Sequence, residues 1–392
     1  MIQMLETDIA VVGGGPVGVV AALALRDAGF KVLLVERGLA PPDFDASHYD
    51  LRVYAVAPAS ARLLARLGVW PQIAATRISP YTRMQVWQRA AERGLRFDAA
   101  DSGSGALGWI VEQGLILAAA WAQLGDLPRR TGVETLALQL PDEDDSRGRA
   151  HLQLSDGSEL RARLIVAADG ADSPLRERAG IDVTSWRYAQ QAIVAQVRMS
   201  SAPASTAYQR FLPTGPLAFL PQSDGRHSIV WSADTTVSAE LMALNDAAFG
   251  AALAEASQYA LGDAVEVGPR TAFPLRLLHA EAYHRPGLVL VGDAAHAVHP
   301  LAGQGANLGF ADVAQLVQSL SAARDAGRDW ASPRTLAAYS RARKAAQVES
   351  ATMATPGWAP TSPSGKAPKV LAVRVRTIES TWQTKPNIMA AL

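Results

Sequence analysis

The stretch from Asp8 to Glu36 constrains the fold of this chain more than any other. Asp8-Ile9-Ala10-Val11-Val12 is an apolar run of the length of a buried strand, and Gly13-Gly14-Gly15-Pro16-Val17-Gly18 follows it directly. Val19 to Asp27 has helical composition, Gly29 is a stop, and Lys31-Val32-Leu33-Leu34-Val35 is a second apolar run ending in Glu36. The pattern is a complete βαβ unit, and each special position has a mechanical reason. Gly13 permits the tight turn, Gly15 lets backbone amides approach a pyrophosphate, and Gly18 lets the helix lie close to the strand. The helix N-terminus adds partial positive charge, and Glu36 ends the second strand where a ribose hydroxyl would donate to it. With both strands and the acid in place, the glycine pattern points to dinucleotide binding.

Of 392 residues, 37 are Lys or Arg and 37 are Asp or Glu, so no overall field draws the chain to nucleic acid. The absence of cysteine excludes thiol catalysis, disulfides and thiolate metal sites. Met1 to Thr7 is too short and polar for a signal peptide, and no apolar run reaches the length of a bilayer span. A soluble, cytoplasmic protein is expected, with contact at the inner face of a membrane left open.

Gly38 to Tyr49 reads as a loop rich in Pro and Asp. Beyond it, Arg52 suits either a phosphate or a surface ion pair. Gln113 opens a helix, Leu115 to Leu124, and suits either a ligand or a helix cap. The buried strand Arg163 to Ala168 ends in Asp169-Gly170, at the strand end where α/β folds bind ligands. From Trp186 to Thr271 the composition shifts toward strands at 191–199, 208–212, 217–221 and 227–232, with a covering helix expected over 239–260. A third informative stretch, Leu288 to Val291, ends in Gly292-Asp293, followed by His296, His299 and Pro300, a glycine turn, and an expected helix over 306–322. Asp293 suits a polyol hydroxyl, and amides at that helix start suit an anion. Asp293, His296 and His299 lack a fourth ligand, which argues against a metal.

In that order, the Gly13 to Gly18 turn with Glu36, the Asp169-Gly170 stretch and the Gly292-Asp293 stretch resemble the three fingerprints of flavoprotein aromatic hydroxylases of the p-hydroxybenzoate hydroxylase type. A narrower resemblance, to the hydroxylases of ubiquinone biosynthesis, rests on Asp50 to Val53, Leu67 to Trp70, Pro80-Tyr81, Val111 to Gln113, Gln209 to Phe211 with Gly215-Pro216, and His299 to Asn307. It runs from about Thr7 to Arg343. The implied fold is α/β, a Rossmann-like FAD-binding domain (1–75, 103–180, 274–343) with an inserted antiparallel-sheet substrate domain (76–102, 181–273) and an atypical tail (344–392).

Position by position, the resemblance implies that Gly13, Gly15 and Gly18 hold the FAD pyrophosphate and that Glu36, with Arg37 beside it, meets the adenosine ribose. Arg52 and Gln113 touch the cofactor, Asp169 serves FAD and NAD(P)H, and Gly292-Asp293 meets the ribityl chain. Gly303, Gln304, Gly305, Ala306 and Asn307 lie against the flavin ring. NAD(P)H reduces the flavin, O2 adds at its C4a position, and one oxygen atom passes to a polyprenyl phenol or benzoquinol. His296, His299 and Tyr208 are candidates for a general base, and Phe211, Phe219, Trp231 and Pro300 for the wall of the substrate pocket, with core packing the favoured reading of the three aromatic residues. The lipid tail implies peripheral membrane contact or a biosynthetic complex, and self-association is left open. Two other readings are a hydroxylase of small soluble phenols or polyketides and a flavin-binding scaffold without turnover. The chain departs from the family after Arg343, where 355–365 reads as a linker and 369–376 as a strand.

Overall fold

The computed structural model describes residues 3–41, 43–142, 145, 148–297 and 305–354. Its first sheet has the spatial order His284–Arg285, Leu288–Leu290, Glu159–Ala167, Met4–Val12, Val32–Glu36, Arg129–Thr131, with Ala150–Leu154 and Thr135–Gln139 added beside Glu159–Ala167. Met4–Val12 is central and pairs in parallel with Val32–Glu36 on one side and Glu159–Ala167 on the other. Ile9 to Val12 and Leu164 to Ala167 are buried without alternation, as strands covered on both faces must be. Helix Pro16–Asp27 starts with Pro at its first turn, where the missing amide costs nothing, and packs on helices Gln113–Ala122 and Gly305–Asp325.

The second sheet runs His296–Ala297, Ala264–Ala280, Val183–Met199, His227–Asp234, Gly215–Pro221, Thr206–Leu212, Arg83–Trp87, Leu95–Asp98. It is antiparallel except where Thr206–Leu212 meets Arg83–Trp87. The helix expected over 239–260 is two helices, Thr235–Ala243 and Asp246–Ala256. Asn245 divides them, its Oδ1 accepting the Ala248 amide at 2.9 Å as an N-cap. Ala264–Ala280 is a 17-residue strand that the sequence reading missed. Pro269 and Pro274 interrupt its periodicity, and register shifts at Ala195/Val197 and Arg187/Gln191 of the partner strand accommodate them.

A small sheet of Val53–Val56, Gly108–Glu112 and Ser79–Tyr81 joins the two large ones, with Leu220 of the second sheet packed against its Val53, Ala55 and Ile110. Three expected borders fall inside elements: helix Val69–Thr76 crosses 75/76, strand Ala264–Ala280 crosses 273/274, and helix Pro333–Ala354 runs past 343. The expected linker and strand beyond 354 lie outside the described residues. Among the described residues no helix is long and apolar enough to cross a membrane.

Candidate active site

The glycine turn is built by close approach. Gly13 has φ +112°, and a Cβ there would strike the Ala168 carbonyl. A Cβ on Gly18 would strike the Gly13 carbonyl, so the helix lies against the turn. Gly15, the residue that precedes helix Pro16–Asp27, has nothing within 4 Å of an added Cβ. That open space at a helix N-terminus, with no side-chain cap, is what a pyrophosphate requires. Glu36 accepts hydrogen bonds from the Gly14 and Gly38 amides, the latter at 2.7 Å, so its carboxylate rims the turn. Trp121, which the sequence reading passed over, donates from Nε1 to the Gly14 carbonyl at 2.9 Å. Arg37 is exposed beyond Glu36.

Strand Val53–Val56 and helix Gln113–Ala122 bring Arg52 and Gln113 together. Arg52 Nη1 donates to Gln113 Oε1 at 3.3 Å, and Tyr54 OH donates to the same oxygen at 2.9 Å. Burial pushes the Tyr54 hydroxyl up to about 12, against the nearby Arg52 charge, with Asp293 and Asp50 adding to the rise. The loop before Arg52 is fastened by residues the sequence reading did not single out for that task. Arg77 pairs with Glu112 through two nitrogens at 2.8 and 2.9 Å, donates to the Ala46 and His48 carbonyls, and lies 3.8 Å from the Tyr49 ring centroid. Glu112 Oε1 also accepts the Asp50 amide at 2.7 Å, and Asp50 accepts the Arg52 and Gly114 amides.

Asp293 follows the strand Leu288–Leu290 in a short 3-10 turn and is open to solvent. Protein surrounding it nevertheless desolvates its carboxyl and raises its pKa, with His296, Arg52 and Arg276 opposing the rise. A Cβ at Gly292, which has φ +59°, or at Gly309 would press on Val17, so both glycines let the Gly-Asp turn lie close to the first helix.

Asp169 faces inward to its own segment. Its Oδ1 accepts Ser173 OH at 2.5 Å and its Oδ2 the Leu175 amide at 3.1 Å, so it braces the start of helix Pro174–Arg178. Burial raises its pKa over these bonds. Gly305 begins helix Gly305–Asp325 with open space beside it, and Ala306 is buried. Asn307 donates to the Ala55 carbonyl at 2.7 Å and accepts the Ala57 amide at 3.0 Å, so its amide fixes the helix to the Arg52 strand.

The candidate bases divide. His296 is buried with Nε2 2.6 Å from Asp312 Oδ2, and Asp312 also receives Arg343 Nε at 2.5 Å and the Gly292 amide at 2.9 Å. Burial alone would raise the Asp312 pKa, but the His296 and Arg343 charges and hydrogen bonds hold it below the usual carboxylate range. Asp312 and Arg343 were missed, although an acid in the buried stripe Gly309, Asp312, Val313, Leu316 is a readable signal. Tyr208 lies in the apolar cluster with Trp87, and burial raises its pKa. His299, Pro300, Gly303 and Gln304 lie outside the described residues.

Register decides between wall and core. Tyr208, Phe219, Ile229, Trp231 and Ile193 share the face packed against helices Thr235–Ala243 and Asp246–Ala256, together with Phe249 and Leu253. Phe219 and Trp231 are therefore core. Phe211, Val230 and Phe273 occupy the opposite face, because side chains alternate along each strand. That face looks toward the segment that carries Arg52: Gln196 donates to the Asp50 carbonyl, and the Arg52 guanidinium lies 5.4 Å from the Phe273 ring centroid.

The FAD binding domain family matches residues 6–354. The chain is 40% identical over 340 residues to the 3-demethoxyubiquinol 3-hydroxylase of Escherichia coli (strain K12), covering 86% of each protein. It is 36% identical to the mitochondrial ubiquinone biosynthesis monooxygenase COQ6 of Homo sapiens, covering 86% of this chain and 81% of that one. Among solved structures, the p-nitrophenol 4-monooxygenase PnpA of Pseudomonas putida DLL-E4 superposes with a TM-score of 0.68 at 22% identity, over 89% of this chain and 87% of that one. That last likeness is one of fold.

Proposed function

As a member of the FAD binding domain family, this chain is a flavin-dependent aromatic monooxygenase, and we propose that it hydroxylates the ring of a polyprenyl phenol or benzoquinol in ubiquinone biosynthesis. The observation that carries the reading is the meeting of Arg52, Gln113 and Tyr54 beside Asp293, beneath the site-facing side of the second sheet. The residues fit FAD: Gly13 and Gly18 close the turn, Gly15 leaves the pyrophosphate its space, and Glu36 with Arg37 stands at the ribose end. Asp293, Gly292, Gly305 and Ala306 border the rest of the cofactor, with Gly303 and Gln304 between them in sequence. Asp169 and Asn307 act by bracing the backbone around it.

Bound FAD supplies hydride acceptance from NAD(P)H and the activation of O2. The protein orients the phenol, keeps water from the reacting face and helps remove the phenolic proton. Phe211, Val230 and Phe273 form the sheet side of the pocket in this reading, and Pro300 the flavin side. Segments 1–75, 103–180 and 274–343 serve the cofactor, and 76–102 with 181–273 the substrate. A lipid-tailed substrate calls for peripheral association with the inner face of a membrane, which cosedimentation with vesicles measures.

The deciding experiment is the visible spectrum of the purified protein, then NADPH oxidation in air with a short-chain prenyl phenol. A flavin spectrum with substrate-stimulated oxidation and a hydroxylated product supports the reading. Turnover of a water-soluble phenol alone redirects it to soluble substrates, and flavin binding without stimulation leaves a scaffold.

A further inference from the structure

Gln113 is the first residue of helix Gln113–Ala122, directly after strand Gly108–Glu112, and is half-buried at the edge of the cleft. Its backbone amide donates to the Arg52 carbonyl at 2.9 Å, which fixes where the side chain begins. Its side-chain oxygen then receives two donors, Tyr54 OH at 2.9 Å and Arg52 Nη1 at 3.3 Å. A guanidinium donates and never accepts, so the atom it meets is the amide oxygen by chemistry alone. Gln113 Nε2 is therefore turned the other way. It has no protein partner among the described residues and is not sealed from solvent.

The two donors are unequal. Arg52 is exposed, its side chain is long, and its contact is at the far edge of hydrogen-bond range. Tyr54 sits in a paired strand, opposite Val111, one position from the Val53–Glu112 pair, so its hydroxyl is delivered by a rigid frame. Burial also keeps that hydroxyl protonated across the working pH range.

We propose that Tyr54 is a positioning residue for the cofactor: its hydroxyl locks the Gln113 amide so that Nε2 is presented as a donor to an oxygen of bound FAD. The inference rests on the FAD reading given above and adds a residue to it. Without the hydroxyl, only the long Arg52 contact holds the amide, which can then turn and offer its oxygen, an acceptor, to a ligand that is itself all acceptor on its phosphates. The ring of Tyr54 takes no part in this, so Tyr54→Phe removes the lock and leaves the packing.

The test is the dissociation constant of FAD, read by flavin fluorescence on the full chain stripped of cofactor, for the parent, Tyr54→Phe, Gln113→Ala and the double variant. Tyr54→Phe should weaken FAD roughly five- to tenfold, the size of one hydrogen bond, with the melting temperature of the cofactor-free protein unmoved. In the Gln113→Ala background the same change should have no further effect on affinity. Equal FAD affinity in parent and Tyr54→Phe overturns the proposal, as does a Tyr54→Phe loss that persists undiminished in Gln113→Ala. A parent that binds no FAD at all overturns the FAD reading itself, which separates the two failures.

Discussion

His227 is 1% exposed on the helix-packed face of the second sheet, and neither of its ring nitrogens has a partner among the described residues. Burial pushes its pKa down to about 4, with Asp224 opposing. The unfolded chain takes up a proton near 6.5, the folded chain only near 4, so between those values the unfolded state binds more protons. The stability tied to this neutral ring is complete above 6.5 and drains away as pH falls through that window, about 3 kcal/mol in all. Denaturant unfolding at pH 7 and pH 5 should show about 2 kcal/mol of this loss in the parent and none of it in His227→Leu. Parallel losses in the two proteins would assign the acid limb to other groups.

At the scale of elements, the glycine turn separates two requirements that a sequence motif runs together. Gly18→Ala forces a methyl into the Gly13 carbonyl, so it should destabilise the cofactor-free protein by about 1–3 kcal/mol and impair FAD binding as a consequence. Gly15→Ala meets no protein atom and should leave the melting temperature of the cofactor-free protein unchanged while weakening FAD roughly tenfold or more, because the methyl occupies ligand space. Calorimetry and flavin titration on both variants check the split. The Asp312 cluster is a second junction, holding the Gly292 amide, His296 and Arg343 on one carboxylate. Asp312→Asn should cost about 3–5 kcal/mol, since it leaves the buried Arg343 charge without its counter-ion. A small change in the denaturation midpoint would mean that water replaces the carboxylate.

Over the whole molecule, the proposed function depends on which face of the second sheet looks at Arg52. Trp231→Ala should remove about 3–5 kcal/mol of stability and leave the KM for a phenol near that of the parent, because the ring packs against Phe249 on the helix side. Phe273→Ala should do the reverse, raising KM several-fold with little change in the melting temperature, since the ring is exposed on the site-facing side. Steady-state kinetics beside thermal melts of the two variants tell a wall from a core. The opposite pattern would turn the sheet over.

The βαβ unit, its glycines and Glu36 were legible in the sequence because turn sterics and strand burial act over a few residues, and Gly13, Gly15 and Gly18 each have a local reason. Strands ending in Asp169 and Asp293 were legible for the same cause. The sequence could not assign the free energy of long-range contacts. Pairing across the second sheet decided that Phe219 and Trp231 are core and that Phe273 faces Arg52, since shifting a strand by one residue exchanges its faces. Only the packing of a helix some 16 residues away could show that His296 is held by Asp312, and only the adjacency of two strands that Tyr54 meets Gln113. Local chemistry determined what this protein is able to bind, and tertiary pairing decided which side chains are free to do it.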